Sequence, residues 1–95
     1  MNKALWFVPV GFGNVVCANR VLCVMNPGTA PAKRRLKQAK EVGRYIDMTL
    51  GRPLKSLLLL DTGDVLGSAL TSATIQSRLQ GETPNSLPAE TEPLL

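Results

Sequence analysis

Two stretches of this 95-residue chain are apolar on successive positions, and they restrict its fold more than any other feature. Val15–Met25 is broken only by Asn19-Arg20, and Leu57–Leu60 is four leucines in a row. A strand alternates its side chains between two faces, so such runs must be covered on both. One small helix covers only one face of a sheet this size. The remaining face needs another cover, and in so short a chain a neighbouring subunit is the natural one.

The other segments are short and well punctuated. Leu5–Val10 reads as a strand closed by the turn Gly11-Phe12-Gly13-Asn14, and Asn26-Pro27-Gly28 ends the next strand. Thr29 or Ala30 caps a helix with Pro31 in its first turn, running to about Val42 with Gly43 as its stop. Ala32, Leu36, Ala39 and Val42 share one side of that helix, with Lys33, Lys37, Lys40 and Arg44 in an arc beside it. Tyr45–Leu50 suits a strand and Gly51-Arg52-Pro53 a turn. Leu54–Leu60 and Val65–Leu70 form a hairpin through Asp61-Thr62-Gly63-Asp64, and Thr71–Leu79 is a short last helix. The expectation is an α+β fold: a small, mostly antiparallel sheet of about five strands, one central helix and one short C-terminal helix. Residues 1–80 form the domain. Residues 81–95, with three prolines and three glutamates, read as a disordered acidic tail.

Charge is uneven along the chain. Residues 1–80 hold all eleven basic residues and four acids, a net of +7, while the tail contributes −3. A basic body suits a polyanionic partner. There is no histidine, which removes the commonest general base and most zinc and iron sites. On one straight strand, Cys17 and Cys23 would stand about 20 Å apart and could not bridge. They read as small buried apolar residues in a reducing compartment. The N-terminal apolar run is interrupted by Pro9, Gly11 and Gly13, which argues against an export signal, and no stretch approaches a membrane span. The expected location is cytoplasmic.

Two motifs carry enzyme-like readings. Asp61-Thr62-Gly63 after four leucines is similar to the active-site strand of retroviral-type aspartic proteases, but a small residue normally follows where this chain has Asp64. A second charge there would disturb the shared-proton pair that this chemistry needs, and the plain alternative is a hairpin turn. Gly11-Phe12-Gly13 is half a dinucleotide fingerprint, without the third glycine or an immediate helix. We therefore expect no catalysis, no cofactor, no metal and no small-molecule substrate. The basic residues are more informative. Arg20 interrupts an apolar strand and Arg52 sits at a turn, places where arginine needs a reason. Binding phosphate oxygens with the guanidinium fork is one such reason.

Gly11-Phe12-Gly13-Asn14, Ala18-Asn19-Arg20, Ala30-Pro31 with Lys33-Arg34, Ile46-Asp47 and Gly51-Arg52 follow one another in an order and spacing that resemble the RemA family of bacterial extracellular-matrix regulatory proteins, over about residues 4–79. The resemblance implies a DNA-binding transcriptional regulator of matrix or biofilm genes. It also implies a ring of small α+β subunits with DNA along a basic rim. Arg20 and Arg52 match family arginines expected to touch DNA, and Lys55 matches a further basic position. Where the family often has a second arginine after the first, this chain has Pro53. The resemblance makes Arg20, Arg52, Lys55, Asn19, Lys33 and Arg34 the expected DNA-binding set, with duplex DNA and further copies of the chain as partners. The alternative is a non-catalytic scaffold ring that binds protein partners.

Overall fold

The computed structural model describes residues 6–81. The order is β1 (Phe7–Gly11), β2 (Asn14–Cys17), a 3₁₀ turn (Ala18–Arg20), β3 (Val21–Met25), α1 (Ala30–Glu41), β4 (Tyr45–Asp47), β5 (Ser56–Leu60), β6 (Val65–Ser68) and α2 (Ser72–Leu79). The α+β class holds, with six strands in two sheets rather than about five in one. β1 and β2 form an antiparallel ribbon, and the second sheet has the order β3-β5-β6-β4. β4 runs parallel to β6. β3 and β4 run the same way at opposite edges of that sheet, and the crossover that such a connection needs is α1. All of the acidic tail beyond Gly81 lies outside the described residues.

The single long strand expected over Val15–Met25 does not form. The chain turns at Ala18–Arg20 and passes from one sheet to the other. Polar anchors fix the turn: the Ala18 amide donates to the Trp6 carbonyl (3.0 Å), the Trp6 amide to Asn19 Oδ1 (3.3 Å), and the Asp61 amide to the Arg20 carbonyl (2.9 Å). The break also corrects the reading of the cysteines. Cys17 is half-buried and Cys23 is exposed on the edge strand β3, both as free thiols.

Both faces of β5 are covered within one chain. Leu57 and Val65 pack beneath Ala32 and Ala39 of α1. Leu58 and Leu66 pack on the other face against Val8, Val10, Val16 and Ile75, from the β1–β2 ribbon and α2. Each fully buried leucine contributes roughly 1.5–3 kcal/mol. The doubly apolar run thus does not need a second subunit over the sheet. Apolar surface left uncovered elsewhere includes Phe7 and Val15 on the ribbon's outer face, 59% and 54% exposed, and Leu22 of β3 at 66%.

Threonines cap both helices. Thr29 Oγ1 accepts from the Ala32 amide, and Thr71 Oγ1 from the Thr74 amide. Val42, expected on the buried side of α1, is its C-cap and is exposed. Ser68 Oγ ties the ribbon to the sheet, donating to the Val10 carbonyl (2.7 Å) and accepting from the Leu70 amide (3.0 Å). Arg78 Nη1 adds a bond from α2 to the Pro9 carbonyl (3.1 Å).

Candidate nucleic-acid interface

The basic residues singled out in the sequence divide between the two ends of β5. At its C-terminal end, the 3₁₀ turn sets Arg20 beside the β5–β6 loop. Arg20 Nε lies 3.1 Å from Asp61 Oδ2, with both side chains substantially exposed. Asn19 is exposed next to it, and its side chain is committed to the Trp6 amide and to Cys17 Sγ. Arg44 approaches the same loop, with Nε 3.4 Å from Asp64 Oδ1 and Nη2 donating to the Thr62 carbonyl (2.8 Å). The Asp-Thr-Gly-Asp segment is a hairpin turn, and each of its carboxylates faces a guanidinium. Among the described residues, no three histidine, cysteine or acidic side chains gather as a metal site, and no helix is long and apolar enough to cross a membrane.

At the N-terminal end of β5 two tight turns meet. The Arg52 amide donates to the Thr49 carbonyl (3.0 Å) across Leu50-Gly51. Both central residues have positive φ, 54° and 79°, the φ pattern of a type I′ turn. Phe12-Gly13 in the ribbon repeats that pattern at 56° and 79°. The Arg52 guanidinium stands over the Phe12 ring, 5.5 Å from its centroid. Lys55 follows, exposed, its amide held by the Ser68 carbonyl (2.9 Å).

Asp47 shapes the Arg52 turn from below. Its Oδ1 accepts from the Thr49 amide (2.9 Å) and from Thr49 Oγ1 (2.7 Å). These bonds, with weaker help from the Lys40 charge, hold its carboxyl below the usual carboxylate range against a small opposing effect of burial. Sequence reasoning did not single out Asp47 for this. Aspartate two residues before a threonine at a strand end is an Asx-turn signal that could have found it.

Lys33 and Arg34 are exposed in the first turns of α1. β3 delivers the chain to α1 from Met25, which pairs with Leu57, so α1 starts at the same end of the sheet as Lys55. A shallow groove runs along α1 among Lys33, Leu36, Lys37, Lys40 and Glu41. The set is therefore not one cluster. Lys55 and Asp61 flank β5 about 20 Å apart by strand rise, which separates Arg52 from Arg20 within a subunit. Among the described residues, Arg20 and Arg44 make the ion pairs, while Arg52, Lys55, Lys33 and Arg34 make none.

The family model described as "Extracellular matrix regulatory protein A-like" (RemA-like) matches residues 7–79. The chain belongs to the RemA-like family. Curated relatives match over 71 to 85 residues. The chain is 41% identical to a protein of Halothermothrix orenii over 78 residues, 82% of this chain and 93% of that one. It is 39% identical to one from a Synechococcus strain over 85 residues, covering 90% and 94%. It is 44% identical to one from Kosmotoga olearia over 71 residues, covering 75% and 72%. Each relative bears the name "Putative regulatory protein". The matched RemA-like region takes in both basic ends of β5 and stops at the last residue of α2.

Proposed function

We propose that this RemA-like protein is a cytoplasmic DNA-binding regulator of matrix or biofilm genes, without catalytic activity. It grips the duplex backbone through Arg20, Arg52 and Lys55, with Asn19, Lys33 and Arg34 beside them. One observation carries the reading: Arg52, Lys55, Lys33 and Arg34 lie toward one end of the sheet, exposed and without acidic partners among the described residues. Uncompensated cations on a turn and at a helix start suit phosphate oxygens. Two basic patches about 20 Å apart would engage different phosphates of one duplex. Neither helix carries a base-reading set, so contact is with the backbone and its shape.

Assembly into a ring fits the same reading. The ribbon's outer face exposes Phe7 and Val15, and a second copy would cover it. Repetition of modest contacts around such a ring multiplies affinity. The test is a gel shift on AT-rich promoter fragments across a salt series, with particle mass measured on the same sample. Log affinity should fall linearly with log salt. Binding that does not respond to salt would overturn the backbone-contact reading and favour a scaffold for protein partners.

A further inference from the structure

The arginines at the two ends of β5 are held in two chemically different ways. Arg20 and Arg44 each lean on a carboxylate, which uses N–H donors and offsets their charge. Arg52 instead stands over the face of a neutral ring, Phe12. A cation placed within about 6 Å of a ring centroid is held by the ring quadrupole. It keeps its full charge and its in-plane N–H fork for an anion.

Phe12 occupies a position that disfavours it. It is one of two non-glycine residues with positive φ among those described, and it is 45% exposed. The first central residue of a type I′ turn is ordinarily Asn, Asp or Gly, which tolerate that backbone. Left-handed backbone on a bulky residue persists where the surroundings impose it and often marks a functional site. Asn14 Nδ2 donates to the Gly11 carbonyl (3.1 Å), and Leu70 packs beneath Gly11. The other non-glycine outlier, Leu50, lies in the turn that carries Arg52. The two outliers thus belong to the two turns that meet at the Phe12–Arg52 contact.

We propose that Phe12 is a positioning residue for Arg52: its ring fixes the guanidinium above the ribbon tip with the N–H fork turned toward a DNA phosphate. The inference rests on the DNA-binding reading above. It also gives the Gly11-Phe12-Gly13-Asn14 motif a role unrelated to nucleotide binding.

The experiment is a mutant cycle on the full-length protein, with affinity for an AT-rich duplex measured by fluorescence anisotropy at fixed salt. The variants are Phe12→Leu, Phe12→Trp, Arg52→Ala and the pair Phe12→Leu/Arg52→Ala. A protein with pentafluorophenylalanine at position 12 keeps the ring's shape and reverses its quadrupole, and it serves if the leucine variant folds poorly. Phe12→Leu and the fluorinated ring should each weaken binding at least about threefold, with particle mass unchanged. Phe12→Trp should bind at least as tightly as the parent. In the Arg52→Ala background, Phe12→Leu should cost nothing more. An undiminished loss in that background would overturn the inference, because the ring would then act independently of Arg52. Unchanged binding by both ring variants, where Arg52→Ala alone is weak, would also overturn it. Full affinity in Arg52→Ala would instead sink the DNA-contact reading beneath it.

Discussion

Asp61 holds Arg20 twice: its amide donates to the Arg20 carbonyl at 2.9 Å, and its Oδ2 lies 3.1 Å from Arg20 Nε. The backbone bond fixes where the 3₁₀ turn sits, and the ion pair fixes which way the guanidinium leans. The two effects separate on mutation. An exposed pair of this kind contributes about 0–1 kcal/mol. Asp61→Asn keeps the backbone bond, so its melting temperature should fall by no more than about 8 °C. Its DNA affinity should rise, since a carboxylate that competes with phosphate is gone. Weaker binding by this variant would show that Asp61 orients Arg20 rather than competing for it.

Arg20→Ala and Arg52→Ala should each weaken DNA binding strongly with particle mass unchanged. A loss of about 0.5–1 kcal/mol per subunit, repeated over several engaged subunits, becomes orders of magnitude. The slope of log affinity against log salt should become shallower in both. Lys37→Ala and Lys40→Ala on the helix groove are the comparison and should matter less. Dissociation of the particle in Arg20→Ala would make that arginine an interface residue.

Particle mass should lie well above that of a dimer. Val15→Lys and Phe7→Lys place a charge on the ribbon's outer face without touching Val8, Val10 or Val16 beneath it. Both variants should stay folded by circular dichroism and sediment as smaller species. A wild-type protein that is monomeric at micromolar concentration would defeat this prediction.

Asp47→Ala removes both acceptor bonds to Thr49 and should loosen the Arg52 turn, lowering stability and DNA affinity together. Because the Asp47 carboxyl is held below its ordinary 3.8, its contribution is present above that value and fades as pH falls through the folded-state value. The melting-temperature gap between parent and variant should therefore be widest near neutral pH and should narrow below about pH 4. A gap independent of pH would show that the carboxylate charge is not what holds the turn.

Gly67→Ala should destabilise the fold by roughly 1–3 kcal/mol. A Cβ there would collide with the Tyr45 hydroxyl, which lies across the strand, and with Leu54. Pairing the change with Tyr45→Phe should recover part of the loss in denaturant unfolding. No recovery would mean that the Tyr45 ring carbon or Leu54, rather than the hydroxyl, is the obstacle.

The sequence by itself determined the α+β class, both helices, the β5–β6 hairpin, and the run of motifs that marks the family. These are local matters: hydrophobic period, a capping hydroxyl, or glycine where φ must be positive. The tertiary structure alone decided how the elements share their faces. Local pattern showed Val15–Met25 as one strand because its only flaw was Asn19-Arg20. That flaw became a turn through bonds from Trp6 and Asp61, residues 13 and 41 positions away from those they anchor. With the chain turned there, the ribbon folded over the second face of β5, a covering that the sequence had assigned to a neighbouring subunit. Tertiary structure likewise sent Arg20 and Arg52 to opposite ends of one strand and brought Phe12 under Arg52. Contacts across forty positions depend on how sheets stack, and no hydrophobic period records that.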